Sequence, residues 1–446
     1  MSDYMFMLET HLSTGQLRVL REVEAAALES GVRLFLTGGA LRDMLGAFPI
    51  RDLDFTVEGD ALSVARRLAR KTGARIVASD SLRNSAEMAF PGGVTAEIAM
   101  ARQERYPRPG GRPEISPATI HEDLRRRDFT INAIALSLHP SSRGLLIDPN
   151  NGVADIQHRE LRAVSNYSLF DDPSRLLRLV RFRTRLGYTV EPKTQAQYAR
   201  AREAGLESRI APRKLAEELR HIADDPACAD VVRALDQEGL LTLFGPALTG
   251  PKVHLHGLAR LQKVRQMVPF GADFRLENFG LFLHVLTEKL TPREKTALAQ
   301  TIRLNKEELE LWRKLESRAR KLEKTLKSPK LHKPSDLYLA LADAAGDEIL
   351  FLLLYSSQRI VHDRIKNYLQ KYLPLAMEIT DEQIRARGVE PGSREYEKVK
   401  RELIVARLNA RPKKTAPPPE PEKPSEPALP PGQPPPLRKP LTRTLR

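Results

Sequence analysis

The chain has 446 residues, enough for two or three domains, with 72 Lys and Arg against 57 Asp and Glu. A formal charge of +15 favours a polyanionic partner, nucleic acid or an acidic membrane surface. The single cysteine, Cys228, excludes an internal disulfide or a Cys-based zinc site and suits a reducing cytoplasm.

The first residues, MSDYMFMLETHLSTG, carry no basic run before an apolar stretch, so no signal peptide is expected. The longest apolar run, residues 349–355, is far below the ~20 residues that cross a bilayer, and a cytoplasmic protein without a membrane partner is predicted. Leu17, Leu20, Val23 and Ala27 stand at helical spacing and predict a helix over 17–30 that covers a sheet. Strands are predicted at 32–36, 53–57, 74–78, 94–99 and 133–138, with a return near 145–147 and a helix at 61–71. From Asp171 onward the pattern is helical, at 173–186, 193–204, 212–223, 228–238 and further segments to about 409. The expected fold is an α/β head (1–158), a helical neck (159–250), a helical body and tail (251–410) and a Pro-rich basic terminus (411–446). That terminus holds 13 of the 33 prolines and almost no large apolar residues, so it is expected to be disordered or polyproline-like.

Residues 35–54, FLTGGALRDMLGAFPIRDLD, carry the most chemistry. An apolar strand runs into Gly38-Gly39, then a short helix bears Arg42 and Asp43, and a second strand bears Asp52 and Asp54. Alternate residues of a strand share a face, so the two aspartates can grip the same divalent cations. The glycines let backbone N–H groups approach a polyphosphate. Glu97, on a strand with Thr95 and Ala99, is either a third acid of this site or a lone carboxylate on an edge strand. Residues 102–118, rich in Arg, Pro and Gly, form either a mobile lid or an inert loop.

In HEDLRRRDFTINAIALSL, residues 121–138, Arg125, Arg126 and Arg127 adjoin Asp128, with Asn132 beyond. Adjacent guanidinium groups suit triphosphate oxygens, and Asp128 could accept from a ribose hydroxyl. Asn151-Gly152, in DPNNGVAD, is a turn that Asn can support in the left-handed region. In LFDDPSRLLRLVRFRTRLGY, residues 169–188, the leucines and valine cluster on one helix face, and Arg175, Arg178 and Arg181 form a stripe on the other. Asp172 sits at the cap position. A carboxylate can accept from the amino group of C or A while a guanidinium donates to the adjacent ring nitrogen. U and G present the opposite polarity and would leave these groups unpaired.

These strings resemble motifs A to D of the polymerase-beta-type nucleotidyltransferases, in the branch of bacterial class II tRNA nucleotidyltransferases and poly(A) polymerases. The resemblance implies template-independent addition of CCA, or its terminal A, to tRNA 3′ ends from CTP and ATP. It implies Mg2+ as cofactor, Asp52 and Asp54 as its ligands, and Asp52, Asp54 and Glu97 as catalytic acids. Gly38, Gly39, Arg42, Arg127, Asp128, Asn132, Asp172, Arg175, Arg178 and Arg181 would hold the nucleotide, with Asp172 and Arg175 reading its base. In related CCA-adding enzymes a flexible loop at 102–118 helps switch specificity from C to A. Two alternatives remain open: a bacterial poly(A) polymerase, and an RNA-binding protein with an inactive head.

The chain also departs from the family. Arg213-Lys214 stands where motif E has Glu-Arg, although Glu218-Leu219 is retained. His284 is followed by Val285 where relatives with a phosphohydrolase domain have His-Asp, so no such activity is expected. Residues 379–393 faintly resemble an RNA-holding element, keeping Gly388 and Pro391-Gly392. Nine Lys and Arg against two Glu between Arg313 and Lys333 are either an RNA-backbone contact or a solvated helix face.

Overall fold

A computed structural model describes residues 3–410 apart from Phe270, Asp273, Arg275 and 391–394; Pro391-Gly392 and the Pro-rich terminus therefore lie outside the described residues. Two helices, α1 (Asp3–His11) and α2 (Thr14–Glu29), precede the sheet. Ser13 and Gln16 form a reciprocal capping box that starts α2 slightly earlier than its apolar spacing indicates.

The head follows as β1 (Arg33–Thr37), α3 (Gly39–Leu45), β2 (Leu53–Glu58), α4 (Ala61–Thr72), β3 (Arg75–Asp80), β4 (Ser85–Ala89) and β5 (Thr95–Met100). A hairpin of β6 (Arg102–Arg105) and β7 (Glu114–Pro117) leads to α5 (Ile120–Arg125), β8 (Ala135–Ser137), β9 (Leu146–Ile147) and α6 (Gly152–His158). Seven strands form one mixed sheet in the order β3-β4-β5-β2-β1-β8-β9, in which only β2 and β5 pair in parallel.

Residues 85–89 (SAEMA) were not expected to be a strand, because Ala, Glu and Met are poor strand formers. Pairing with β3 on one side and β5 on the other holds the segment in place. That insertion also corrects the edge-strand reading of Glu97: β5 lies inside the sheet. Residues 102–118 are likewise not a structureless loop, since their two ends pair as β6 and β7.

The two faces of β1 separate the packing. Leu34 and Leu36 enter the main core, while Phe35 enters a second cluster with Ile120, Leu124, Ala133, Ala135 and Ile147. Thr37, in phase with Phe35, therefore ends on the face covered by α5, where a polar cleft opens.

The helical part begins with the short strand β10 (Glu160–Leu161), α7 (Ser168–Asp171) and α8 (Ser174–Leu186). The strand β11 (Thr189–Val190) pairs back onto β10, so strands do not vanish altogether after Asp171. Then come α9 (Pro192–Glu203), α10 (Pro212–Asp224), α11 (Cys228–Gln237), α12 (Leu255–Arg265), α13 (Asn278–Leu286), α14 (Pro292–Thr301) and α15 (Lys306–Leu326). The series closes with α16 (Pro334–Ala342), α17 (Gly346–Tyr355), α18 (Arg359–Asn367), a π turn at Tyr368–Tyr372, α19 (Leu373–Met377), α20 (Asp381–Arg385) and α21 (Tyr396–Asn409). The α8 to α11 bounds match the sequence expectation within a residue. The described residues up to Asn409 pack as one unit, with a continuous apolar core from Met5 to Leu408. Among the described residues no helix is long and apolar enough to cross a membrane.

Candidate active site

Gly38 joins β1 to α3 at φ +68°, ψ −128°, a region open to glycine. A Cβ there would stand 3.1 Å from Arg127 Nη1 and 3.2 Å from Asp54 Oδ2, so the turn must be bare for these groups to converge. Antiparallel pairing puts Thr37 opposite Asp54, and parallel pairing puts Glu97 opposite Asp54. Glu97 in turn lies opposite Glu87 of β4. Burial and the neighbouring Glu97 and Asp52 carboxylates push the Asp54 pKa up to about 7, against the pull of Arg127 and the Gly39 N–H. Asp52 and Glu97 are also raised, chiefly by the surrounding protein, although both reach solvent.

The arginines of residues 125–127 diverge. Arg125 is exposed, whereas Arg126 and Arg127 both donate to the fully buried Asp123, at 2.5 and 2.9 Å. Arg127 also donates to the hydroxyls of Thr37 and Thr56 and to Asn132 O. Arg126 reaches Glu104 of β6, which accepts from Arg102 and Tyr106 as well. Burial opposes ionisation of Asp123, yet the two guanidinium groups hold its pKa down to about 2. Sequence reasoning passed over Asp123, although its i,i+3 and i,i+4 spacing to Arg126 and Arg127 was a usable signal.

Asp128 is not available to a ribose as expected. Its Oδ1 accepts from Phe129 N at 2.8 Å and Asn132 Nδ2 at 3.2 Å. Its Oδ2 accepts from Arg178 Nε at 2.7 Å and Nη2 at 2.6 Å, which fills the acceptor sites of a carboxylate. Asn132 Oδ1 accepts from Arg42, whose Nε and Nη2 bind Asp43. Thus Arg42, Asn132 and Asp128 form one buried network in the wall of the cleft.

Two arginines of the α8 stripe, Arg175 and Arg181, are buried, contrary to the expected exposed face, while the Arg178 side chain stays 32% exposed. Arg181 pairs with Glu218 of α10 at 3.2 Å and lies over the Phe182 ring. Arg175 donates to Ser168 Oγ at 2.7 Å, Ser168 O at 3.3 Å and Arg126 O at 2.6 Å, tying the neck to the head. Asp172 Oδ1 accepts from Ser174 N and Oγ and so caps α8. Its Oδ2 faces Lys214 Nζ at 3.7 Å. All thirteen predicted site residues nevertheless line a single cleft of about 370 Å³, together with Thr37, Thr56, Arg185 and Lys214.

Asn151 adopts the left-handed conformation expected of it, at φ 56°, ψ 34°. The Asp148 carboxylate accepts from Gly152 N and Val153 N and fixes the turn. His284 packs edge-on against the rings of Phe351 and Tyr355, and His362 Nε2 lies 2.9 Å from Ser356 O.

Among the described residues no group of three or more His, Cys, Asp or Glu is arranged to hold a metal ion. A hard divalent cation needs no such cage: one or two carboxylates with substrate phosphates and water suffice. Asp52 and Asp54 meet that requirement, and the mutual repulsion that raises Asp54 is what a bound cation would relieve.

A family model described as the poly A polymerase head domain matches residues 34–162. An A-adding tRNA nucleotidyltransferase of Halalkalibacterium halodurans is 33% identical over 315 residues, covering 69% of this chain and 73% of that protein. A CC-adding tRNA nucleotidyltransferase of Deinococcus radiodurans is 39% identical over 212 residues, covering 47% of this chain and 55% of that one. The chain spans about half the length of the latter and of two further A-adding relatives. Among solved structures, an apo form of a CCA-adding enzyme is 26% identical at a TM-score of 0.52, covering 92% of this chain and 96% of that one.

Proposed function

We propose, on the premise that the chain belongs to the tRNA nucleotidyltransferase family, that it adds CMP and AMP, or AMP alone, to tRNA 3′ ends from CTP and ATP. The observation that carries this reading is the meeting of the Asp52, Asp54 and Glu97 carboxylates with the bare Gly38 turn and Arg127 in one cleft. Enzymes of this family generally use a divalent metal, and we assign Mg2+ to Asp52 and Asp54. Bound there, Mg2+ would supply Lewis-acid activation of the primer hydroxyl and stabilise the departing pyrophosphate.

The chain's own groups do the rest. The Gly38-Gly39 turn admits the triphosphate, and Arg127, braced by Asp123, donates to its oxygens. The mouth of α8 presents Asp172 to the base, and acceptors placed for an amino group reject U and G. A single buried cysteine and a tRNA substrate support a cytoplasmic setting.

The test uses purified protein, Mg2+ and each of the four labelled nucleotides on tRNA ending before CCA and on tRNA ending in CC. CTP use on the first and ATP use on the second identify CCA addition. ATP use on the second alone identifies A addition. Long A tails identify poly(A) synthesis, and no incorporation overturns the enzymatic reading in favour of an RNA-binding protein with an inactive head.

A further inference from the structure

Asp52 and Asp54 stand two residues apart but are not held alike. Asp54 lies within the sheet, opposite Thr37 of β1 and Glu97 of β5. β2 begins at Leu53, so Asp52 stands one residue outside the ladder, and both Arg51 and Asp52 are exposed. Two carboxylates that share a divalent ion need a fixed separation, and a misplacement of about 1 Å at such a group can cost about a hundredfold in rate.

The chain just ahead of Asp52 is tied down from α2. Gln16 Nε2 donates to Ile50 O at 3.0 Å and to Arg51 O at 3.5 Å. Its Oε1 accepts from Ser13 N at 3.0 Å, one half of the capping box of α2, so both ends of the amide are engaged and its orientation is set. Gln16 is 6% exposed. A capping box uses only the oxygen of this side chain, and a glutamate supplies that as well. The nitrogen serves the main chain at 50–51 instead. The Ile50 side chain is buried in the main core, so the segment has one apolar anchor and one polar tie.

We propose that Gln16 is a positioning residue for nucleotidyl transfer: it fixes the main chain at Ile50 and Arg51 and so sets the Asp52 carboxylate beside Asp54, where both can hold one divalent ion. The inference rests on the proposed assignment of Mg2+ to Asp52 and Asp54. It brings in a residue from a helix that precedes the sheet, outside every string that carries the chemistry of the cleft.

The experiment separates the tie from the cap. Gln16→Met removes the tie at nearly constant side-chain length. Ser13→Ala removes the acceptor for Gln16 N and leaves the tie in place. Both variants should melt earlier than wild type. Gln16→Met alone should weaken Mn2+ binding, by about tenfold or more, the usual cost of losing a group that orients a ligand. Electron paramagnetic resonance with Mn2+ alone measures this, the site being the binding that is lost in Asp54→Ala. The same variant should lower kcat with the KM for tRNA unchanged, and should speed hydrogen exchange over residues 50–54. If it melts below the assay temperature, Gln16→Glu, which keeps the capping box, is read the same way. Wild-type Mn2+ affinity in the Gln16 variants, or an equal loss in Ser13→Ala, overturns the proposal and leaves Gln16 a helix cap. Wild type that binds no Mn2+ through Asp54 refutes the metal assignment instead, and the exchange comparison still decides whether Gln16 holds the segment.

Discussion

At Asp54 burial and like charge act in the same direction. Its neighbours Asp52 and Glu97 repel its charge, and no stability argument favours such a trio where the start of β2 lies beside β5. Asp52→Ala or Asp54→Ala should abolish nucleotide addition while RNA binding largely survives; double-mutant activity above a tenth of wild type would remove them from catalysis. Asp123 acts in the opposite direction. Its carboxyl is held at about 2 in the folded chain against an ordinary 3.8, so its stabilisation is complete above pH 4 and disappears as pH falls toward 2. The shift corresponds to about 2 kcal/mol. Asp123→Asn should flatten that acid limb in a melting series and cost about 3 kcal/mol at neutral pH, because Arg126 and Arg127 lose a buried partner. Asp172→Ala should collapse discrimination against UTP and GTP in kcat/KM; an unchanged order of preference would leave the residue a helix cap alone.

At the scale of elements, helices were legible and the hairpin was not. In α8 the spacing of Leu176, Leu177, Leu179 and Val180 announced a packed face, and Pro173 marked its first turn. The β6–β7 segment is rich in Arg, Pro and Gly, which read as a loop until its ends are seen to pair. Its tip docks on the neck. Gly110 N donates to Asp171 O at 3.2 Å, and at φ +70° an added Cβ would stand 3.0 Å from Arg209 O. Gly110→Val should therefore release the tip, seen as faster limited proteolysis within 106–113 and a higher KM for nucleotide. Proteolysis at the wild-type rate would mean that the dock contributes nothing.

Across the whole molecule, charge placement decides where RNA can lie. Of the basic residues in 313–333, Lys314, Arg318 and Arg320 are paired with acids, while Arg313, Lys321, Lys324, Lys327, Lys330 and Lys333 are exposed. Replacing Lys321, Lys324, Lys327 and Lys330 by Gln should lower the slope of log affinity against log salt by about 3 if each meets a phosphate. Fluorescence anisotropy over a salt series measures this, and an unchanged slope would place the RNA surface elsewhere.

Local order along the chain was enough to announce the Gly38-Gly39 turn, the Asp52–Asp54 spacing, the Asn151 turn and the helices of the neck. Each depends on backbone conformation or periodicity within a few residues, and these are written in consecutive side chains. Partnership was decided only in three dimensions. Glu97 became a neighbour of Asp54 because β5 enters the sheet in parallel beside β2, a register no local pattern specifies. Asp128 and Arg178, fifty residues apart, claimed each other, and Arg175 turned to main-chain carbonyls because burial demands that a guanidinium be satisfied at once by whatever is near. Lys214 faces Asp172 only because α10 packs against α8. Residue type announced which chemistry the cleft could host, and tertiary packing decided which of its charged groups remain open to a nucleotide.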